Sequence, residues 1–400
     1  MPASPVRILA PIAVLLLSAC SGGADQPKEI VVGEYGSLTG AQATFGLSTK
    51  NGIELATDAL NAKGGIGGVK VRIVVEDDQG KPEEAATAVG KIISQDRPVA
   101  VLGEVASTNS LAAAPMLQTN GIPMISPSST NPKVTEQGDF IFRVCFIDPF
   151  QGTAVAKFAY NSKQLKNVGI LKDVKSDYST GLAQYFTETF TKMGGAIADE
   201  EAYSQGDVDF KAQLTAMIAK NPDAIFIPGY YTDVGLIARQ ARDLGFKGPF
   251  LGGDGWDSAE LTKIGGDAIA GGFFTNHYAV DDPNPVVQDF ITKYNAKYHE
   301  KPDGLAALGY DSAQVLYAAM AEVAKDPKMA AELADRSSVP ATEGDRKAAR
   351  AALRDVLAHT VSYPGVTGNI TIDDHRNAQK PAVVVQVTAD GNKFVESIAP

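Results

Sequence analysis

Two positions in the sequence combine residue types that could bind opposite charges. Ser107 follows the apolar run 99–103 and opens a stretch with helical spacing. The N-terminus of a helix offers backbone N–H groups and a favourable dipole, and both attract an anion such as a carboxylate. Asp254 stands in the glycine-rich turn 252–255, after the apolar pair Phe250-Leu251. In a partly dry cleft, a carboxylate at that position would pair with a cation such as an ammonium group.

Other polar and aromatic residues also follow predicted strands. Ser128 and Thr130 come after Met124-Ile125-Ser126, and Tyr230 follows the run 224–229. Each candidate also has an ordinary structural explanation, namely helix capping, a polar turn or, for the aspartate, local hydrogen bonding in a turn. The residues alone leave these alternatives open.

The sequence offers little for catalysis or metal binding. Cys145 lies in the apolar run 142–147, where a buried small hydrophobic residue is expected. No Ser/His/Asp or Cys/His order suggests nucleophilic catalysis. We therefore expect no enzyme, no cofactor and no metal site, and we expect surface or hinge positions for the histidines. These are scattered along the chain, at His277, His299, His359 and His375.

The elements that must position the candidate residues alternate between two kinds. From Ile30 onward, short β-branched runs alternate with stretches of helical hydrophobic spacing, and this alternation restarts near Val168. The rhythm predicts two α/β lobes, each with a parallel sheet covered by helices on both faces. The strands after Gly368 are predicted to form a β-meander. Ligands of such sheets bind beyond the carboxyl ends of the strands, so the predicted site lies in a cleft between the lobes.

Composition and charge exclude some classes of function. The chain has 400 residues, 44% of them hydrophobic, and can bury a sizeable core. Its net charge of −11 would repel nucleic acid and anionic lipid headgroups. We therefore expect no nucleic-acid partner and no binding to a membrane through surface charge.

The first residues have the pattern of a targeting segment. Ile8 to Leu17 is apolar but too short to span a bilayer. Leu17-Ser18-Ala19-Cys20 resembles a bacterial lipobox, in which the cysteine becomes the lipidated first residue of the mature protein. We expect residues 1–19 to be a lipoprotein signal peptide and residues 20–28 to be a flexible tether. An ordinary signal peptide with an incidental cysteine is the alternative.

Several segments together resemble the branched-chain amino acid branch of the extracellular solute-binding proteins. The resemblance runs from about Ile30 to Val395, and it rests on the order and spacing of the segments rather than on any one of them. They are GSLTG at 36–40, LNAKGGI at 60–66, ISPSSTNP at 125–132, GGDGW at 252–256 and YPGVTG at 363–368.

This resemblance implies a type I periplasmic-binding fold, an α/β architecture of two doubly wound parallel-sheet lobes joined by a three-stranded hinge. The chain would cross between the lobes near 146–148, 277–280 and 361–364. Lobe 1 would comprise residues 29–147 and 279–361, and lobe 2 would comprise residues 148–278 and 362–400.

The resemblance also implies roles in binding a free amino acid. Ser107 would hold the ligand carboxylate through its hydroxyl and amide. The backbone at Ser128 and the hydroxyl of Thr130 would meet the carboxylate and the ammonium. Asp254 would bind the ammonium, at a position where leucine binders carry the longer Glu, so the ligand could be shifted or a water admitted.

Aromatic residues would enclose the ligand. Tyr178 and Tyr230 match positions that close over the ligand from the far lobe, with Tyr231 as the neighbour that could replace Tyr230. Phe45 and Trp256 could form the wall of the side-chain pocket, although core packing is the alternative for Trp256. Around residues 305–307 the sequence is small and aliphatic where related binders often place a larger ring, which leaves the pocket size open.

From the lipobox and this resemblance together, we expect a lipid-anchored, monomeric solute-binding protein of the periplasm or cell envelope. It would capture a branched-chain or other small neutral amino acid by hinge closure and deliver it to an ABC transporter permease. Two alternatives stay open, an amide or urea binder on the same scaffold and a ligand-sensing module for a signalling receptor. The resemblance itself implies no enzymatic activity.

Replacing Cys20 with Ser tests the predicted anchor. Without the thiol no lipid can be attached, so we expect the variant to move from the membrane fraction to the soluble fraction while its ligand binding stays unchanged. Fractionation with immunodetection measures this, and a Ser21→Ala variant is the matched control. A Cys20→Ser protein that stays with the membrane after signal cleavage would contradict the anchor.

Overall fold

The computed structural model describes residues 29–334, 345–389 and 391–400, together with Met1. The predicted signal peptide, the lipidation site Cys20 and the tether lie outside the described residues. In the described ranges, no helix combines the length and the apolar character needed to cross a membrane.

The strands and helices alternate through most of the chain. The strands are β1 (Glu29–Gly36), β2 (Lys70–Asp77), β3 (Ala100–Leu102), β4 (Met124–Ser126), β5 (Ile141–Arg143), β6 (Asn167–Asp173), β7 (Ala196–Tyr203), β8 (Ala224–Phe226), β9 (Phe250–Gly252), β10 (Phe273–Asn276), β11 (Tyr363–Gly365), β12 (Gly368–Ile372), β13 (Ala378–Gln379), β14 (Ala382–Thr388) and β15 (Gly391–Ile398). The helices are α1 (Ala43–Ala62), α2 (Pro82–Lys91), α3 (Ser107–Thr119), α4 (Asp148–Lys157), α5 (Asp177–Lys192), α6 (Lys211–Ile218), α7 (Tyr231–Asp243), α8 (Ala259–Gly265), α9 (Pro285–Tyr298), α10 (Gly304–Val323), α11 (Pro327–Ala334) and α12 (Asp345–Ala358).

The strands form two main sheets with the same winding order. The first sheet is parallel, in the order β2-β1-β3-β4-β5. The second runs β7-β6-β8-β9-β10 in parallel and continues with β14 and β15, which are antiparallel to their neighbours. Both parallel parts therefore have the doubly wound order 2-1-3-4-5, in which the crevice for a ligand lies outside the carboxyl ends of the strands. The α/β fold class predicted from the sequence is confirmed.

Each sheet has its own core, because a parallel sheet covered by helices must be apolar on both faces. Strands β3, β4 and β8 are accordingly buried at every residue. The core of the first sheet includes Val32 and Phe142, and the core of the second includes Ile170 and Phe226. Two separate cores of this kind define two lobes.

The C-terminal strands divide between the lobes differently from the sequence expectation. Strands β11–β13 form a small antiparallel sheet, and Ile370 and Ile372 pack into the core of the first lobe. Strand β14 instead pairs with β10 in the second sheet. The last crossing therefore follows β13, near Lys380, and not 361–364, and the predicted meander is split between two sheets. Apolar alternation shows that these segments are strands, but not which apolar surface they cover.

Helices α1 and α10 pack at unusually close range, and this packing positions part of the cleft. A Cβ atom added at Gly52 would lie 2.0 Å from the Ala306 carbonyl oxygen, and one at Gly309 would lie 2.3 Å from the Thr49 carbonyl oxygen. Only glycine fits at these two positions. The close contact fixes Phe45, near the start of α1, relative to Leu305, near the start of α10.

Candidate functional site

A pocket lies between the lobes, where the carboxyl ends of the strands of both sheets meet. About 230 Å³ of space within it is free of protein atoms, part of it open to solvent. Turns that follow β3, β4, β8 and β9 supply its polar residues. The complete lining is Phe45, Val105, Ser107, Ser128 and Leu305 from the first lobe and Tyr178, Tyr230, Asp254 and Gly255 from the second.

One end of the pocket is the N-terminus of α3. Ser107 is the first residue of this helix and is buried, and its hydroxyl accepts a hydrogen bond from the backbone N–H of Asn131 at 3.2 Å. Ala106 occupies the capping position, so no side chain caps the helix. Uncapped helix N-termini present backbone donors and a positive dipole end. This end of the pocket therefore suits a carboxylate.

A buried acidic pair supports the turn before α3. Glu104 accepts hydrogen bonds from the Ala106 N–H and from the Ser37 hydroxyl, the latter at 2.9 Å, and the same hydroxyl lies 3.1 Å from an oxygen of Asp78. Burial, together with the charge of Asp78, raises the pKa of Glu104 well above its usual range, and burial raises the pKa of Asp78 to about 6. The GSLTG segment thus contributes indirectly, through Ser37, by holding the turn that presents Ser107.

Asp254 also lines the pocket, and it begins a short 3-10 helix after β9. One carboxylate oxygen accepts a hydrogen bond from Gln151 Nε2 at 2.8 Å. The other oxygen lies 3.0 Å from His277 Nε2 and 3.4 Å from the hydroxyl of Ser128, which belongs to the other lobe. Asp254 is only 6% exposed. A turn residue that bonded only to its own loop would not show this set of contacts.

His277 is a part of the site that sequence reasoning missed. Its side chain is 1% exposed and stacks on the ring of Phe146, with the ring centroids 3.7 Å apart. Burial lowers the pKa of His277 to about 4, although the hydrogen bond to Asp254 raises it. The imidazole is therefore neutral at pH 7, and we assign its proton to Nε2 because a carboxylate can only accept. The one available signal was the position of His277 at a predicted lobe crossing.

Stacked aromatic rings form the wall on the second lobe. Tyr178 and Tyr230 lie nearly parallel, with their ring centroids 5.2 Å apart. Phe45 and Tyr230 pack edge to face, with their ring centroids 5.8 Å apart. The Tyr178 hydroxyl accepts a hydrogen bond from the Gly255 N–H at 3.1 Å. Tyr231 points elsewhere, since its hydroxyl accepts from the Thr44 N–H at 3.3 Å. Tyr230, and not Tyr231, lines the pocket.

Two of the residues expected in the site are not among the lining. Thr130 is buried next to the turn after β4 but does not line the pocket. Trp256 is fully buried in the core of the second lobe, where its Nε1 donates to the carbonyl oxygen of Ile227 at 2.9 Å. The expectation that Trp256 walls the pocket is wrong, because the short 3-10 helix directs its side chain beneath the turn that carries Asp254. Leu305 occupies the apolar wall instead.

Hydrogen bonds between the lobes flank the pocket and keep it closed. On one side, the Thr108 hydroxyl accepts from the Asp177 N–H at 2.9 Å. On the other side, the Thr44 and Ser258 hydroxyls lie 2.9 Å apart, and the Thr232 hydroxyl donates to the Ala41 carbonyl oxygen at 2.7 Å. Among the described residues, no group of three or more His, Cys, Asp or Glu side chains could hold a metal ion.

The sequence matches the model of a known family described as periplasmic binding protein, over residues 29–392. The chain belongs to the periplasmic binding protein family. Its type I periplasmic-binding fold follows from this membership and from the solved structures that resemble it. The family consists of solute-binding proteins, so the prediction of a binding protein without enzymatic activity is confirmed.

Named relatives of this periplasmic binding protein are identical to it at about a third of the aligned positions. An amino acid binding protein of Pseudomonas aeruginosa is 33% identical over 76% of the chain and 82% of that relative. A leucine-, isoleucine-, valine-, threonine- and alanine-binding protein of the same organism is 30% identical over 82% of the chain and 86% of that relative.

Solved structures of similar proteins superimpose on nearly the whole chain. A leucine-binding protein of Thermotoga maritima is 38% identical, with a TM-score of 0.84 over 93% of this chain and 99% of that one. A branched-chain amino acid transporter substrate-binding protein of Streptococcus pneumoniae, solved with isoleucine, is 30% identical, with a TM-score of 0.83 over 93% of this chain and 100% of that one.

Replacing Trp256 with Phe tests the assignment of this residue to the core. The change removes the hydrogen bond to Ile227 and leaves a cavity, so we expect the free energy of unfolding to fall by about 1–3 kcal/mol. Chemical denaturation measures this, with Phe394→Leu, on a partly exposed residue of β15, as the control. Unchanged stability together with weakened ligand binding would show that Trp256 belongs to the site after all.

Proposed function

We propose that this periplasmic binding protein captures a small neutral α-amino acid, and a branched-chain amino acid first of all, in the pocket between its lobes. The observation that carries the proposal is the presence, in one small pocket, of two features that attract opposite charges. The uncapped N-terminus of α3 with Ser107 attracts an anion, the carboxylate of Asp254 attracts a cation, and both residues line the pocket. A zwitterion carries complementary charges at a short, fixed separation.

The surroundings of the Asp254 carboxylate favour a zwitterion over a neutral amide or urea as the ligand. Every hydrogen-bond partner of Asp254 in the described part of the chain is neutral, namely Gln151, Ser128 and the imidazole of His277. A neutral ligand would leave this buried carboxylate without a counter-charge, which is costly in a desolvated cleft. An ammonium group removes that cost. The amide alternative is therefore disfavoured.

The remaining walls favour an aliphatic side chain. Phe45, Val105 and Leu305 line the pocket from the first lobe, and the stacked rings of Tyr178 and Tyr230 line it from the second. Apolar walls stabilise an aliphatic group in proportion to the area they remove from water. Two relatives support the same class, namely the leucine-, isoleucine-, valine-, threonine- and alanine-binding protein and the structure solved with isoleucine.

We further propose that the bound amino acid is delivered to an ABC transporter permease at the cell envelope. The names of structural relatives, which include a branched-chain amino acid transporter substrate-binding protein, support this role. The lipobox-like segment ending at Cys20 supports attachment of the protein to a membrane by lipid alone. A periplasmic location accords with the family to which the chain belongs.

Asp254→Ala tests the proposed function. The variant leaves a bound ammonium desolvated and unpaired, and breaking a buried pair in this way costs about 3–5 kcal/mol, or roughly a hundred- to several thousandfold in affinity. Calorimetric titration with the amino acid that most raises the melting temperature of the parent gives the comparison.

Asp267→Ala, on an exposed aspartate of the same lobe, is the matched control and should bind like the parent. Two outcomes would overturn the proposal. One is an affinity of Asp254→Ala within about threefold of the parent, as for an exposed pair. The other is a ligand panel in which amides raise the melting temperature and amino acids do not.

A further inference from the structure

His277 contributes to the pocket through Asp254, although it does not line the pocket itself. Its Nε2 lies 3.0 Å from the Asp254 carboxylate, and its Nδ1 is buried without a hydrogen-bond partner. The contact with Asp254 is therefore the ring's only side-chain hydrogen bond in the described structure. A buried histidine with a single polar contact, made to the acidic residue of a ligand pocket, requires an explanation beyond packing.

One stacking contact holds the ring of His277, and one hydrogen bond holds its backbone. It stacks on Phe146 with an angle of 24° between the rings. The His277 backbone N–H donates to the Asn276 side chain at 2.7 Å. Phe146 precedes α4, whose residue Gln151 holds the other oxygen of Asp254 at 2.8 Å. Gln151 and His277 thus each hold one oxygen of Asp254, and together they fix the plane of the carboxylate.

We propose that His277 is a positioning residue that sets the preference of the pocket for ligands with an ammonium group. It donates one neutral hydrogen bond to Asp254, which orients the carboxylate toward the pocket and leaves its negative charge for the ligand. This inference rests on the proposed function and adds to it the residue that orients the Asp254 carboxylate.

The charge state of the ring supports this role. Burial lowers the pKa of His277 to about 4, the hydrogen bond and charge of Asp254 raise it, and the charge of Lys380 lowers it further. A protonated imidazole would itself neutralise Asp254 and compete with the ligand ammonium. Burial keeps the ring neutral, so it orients the carboxylate without neutralising it.

The test compares four variants and two probes in calorimetric titrations, with His277→Ala as the variant that removes the ring and its donor together. His277→Phe removes the donor and keeps an aromatic ring on Phe146, and His277→Gln restores a side-chain N–H at a similar reach. His375→Phe, on an exposed histidine, is the matched control. The probes are L-leucine and 4-methylpentanoate, which is leucine without its ammonium group.

We expect His277→Phe to bind L-leucine about ten- to a hundredfold more weakly, the effect of losing a hydrogen bond to a charged group. His277→Gln should recover most of this loss, and the binding of 4-methylpentanoate should not weaken. His375→Phe should match the parent with both probes. Thermal unfolding of each empty protein verifies that the variants are folded.

The outcomes separate this inference from the proposed function. His277→Phe binding L-leucine as tightly as the parent would overturn the positioning role, as would equal losses for both probes, since a packing defect weakens every ligand alike. If His277→Phe does not fold, failure of the folded His277→Gln to bind more tightly than a folded His277→Ala would overturn it. A parent protein that binds no amino acid would overturn the proposed function and this inference with it.

Discussion

Asp254 is held in the closed cleft at 6% exposure, and its hydrogen-bond partners among the described residues are all neutral. A buried carboxylate is stabilised by hydrogen-bond donors and by a cation that pairs with it. The rest of the site follows from this constraint. Gln151 and His277 donate to the carboxylate, Ser128 contacts it from the other lobe, and the uncapped end of α3 lines the same pocket.

The same constraint connects binding with closure of the lobes. The residues that contact or face Asp254 belong to both lobes, and further inter-lobe hydrogen bonds, such as the one between Thr108 and Asp177, form on the flanks of the pocket. With no ammonium present, closure buries the carboxylate without a counter-charge. Under the proposed function, a ligand that supplies the missing charge would stabilise the closed form relative to the open one, since differential affinity shifts a conformational equilibrium.

Much of the fold and part of the site could be predicted from the sequence. The alternation of β-branched runs and helical spacing predicted two doubly wound lobes, because a strand buried on both faces must be apolar throughout. Ser107, Ser128, Tyr230 and Asp254 follow predicted strands, the family resemblance indicated the same residues, and the structure places all four in the lining of the pocket. Phe45 and Tyr178, by contrast, came from the family resemblance, and the structure places both in the lining.

The remaining features depend on tertiary packing that no local pattern records. Trp256 is two residues from Asp254, yet the 3-10 helix directs its side chain into the core. His277 looks like any isolated histidine in the sequence and reaches Asp254 only when two crossing segments pack together. The change of lobe after β13 depends on which apolar surface Ile370 and Ile372 cover.

The central claim is that one pocket recognises both charges of a zwitterion. Calorimetric titration of the unmodified protein with L-leucine, 4-methylpentanoate and 3-methylbutylamine tests it most directly, because the last two each lack one of the charged groups. We predict that L-leucine binds at least about a hundredfold more tightly than either analogue, since each analogue leaves one end of the desolvated pocket unpaired. An analogue that binds as tightly as L-leucine would contradict the account.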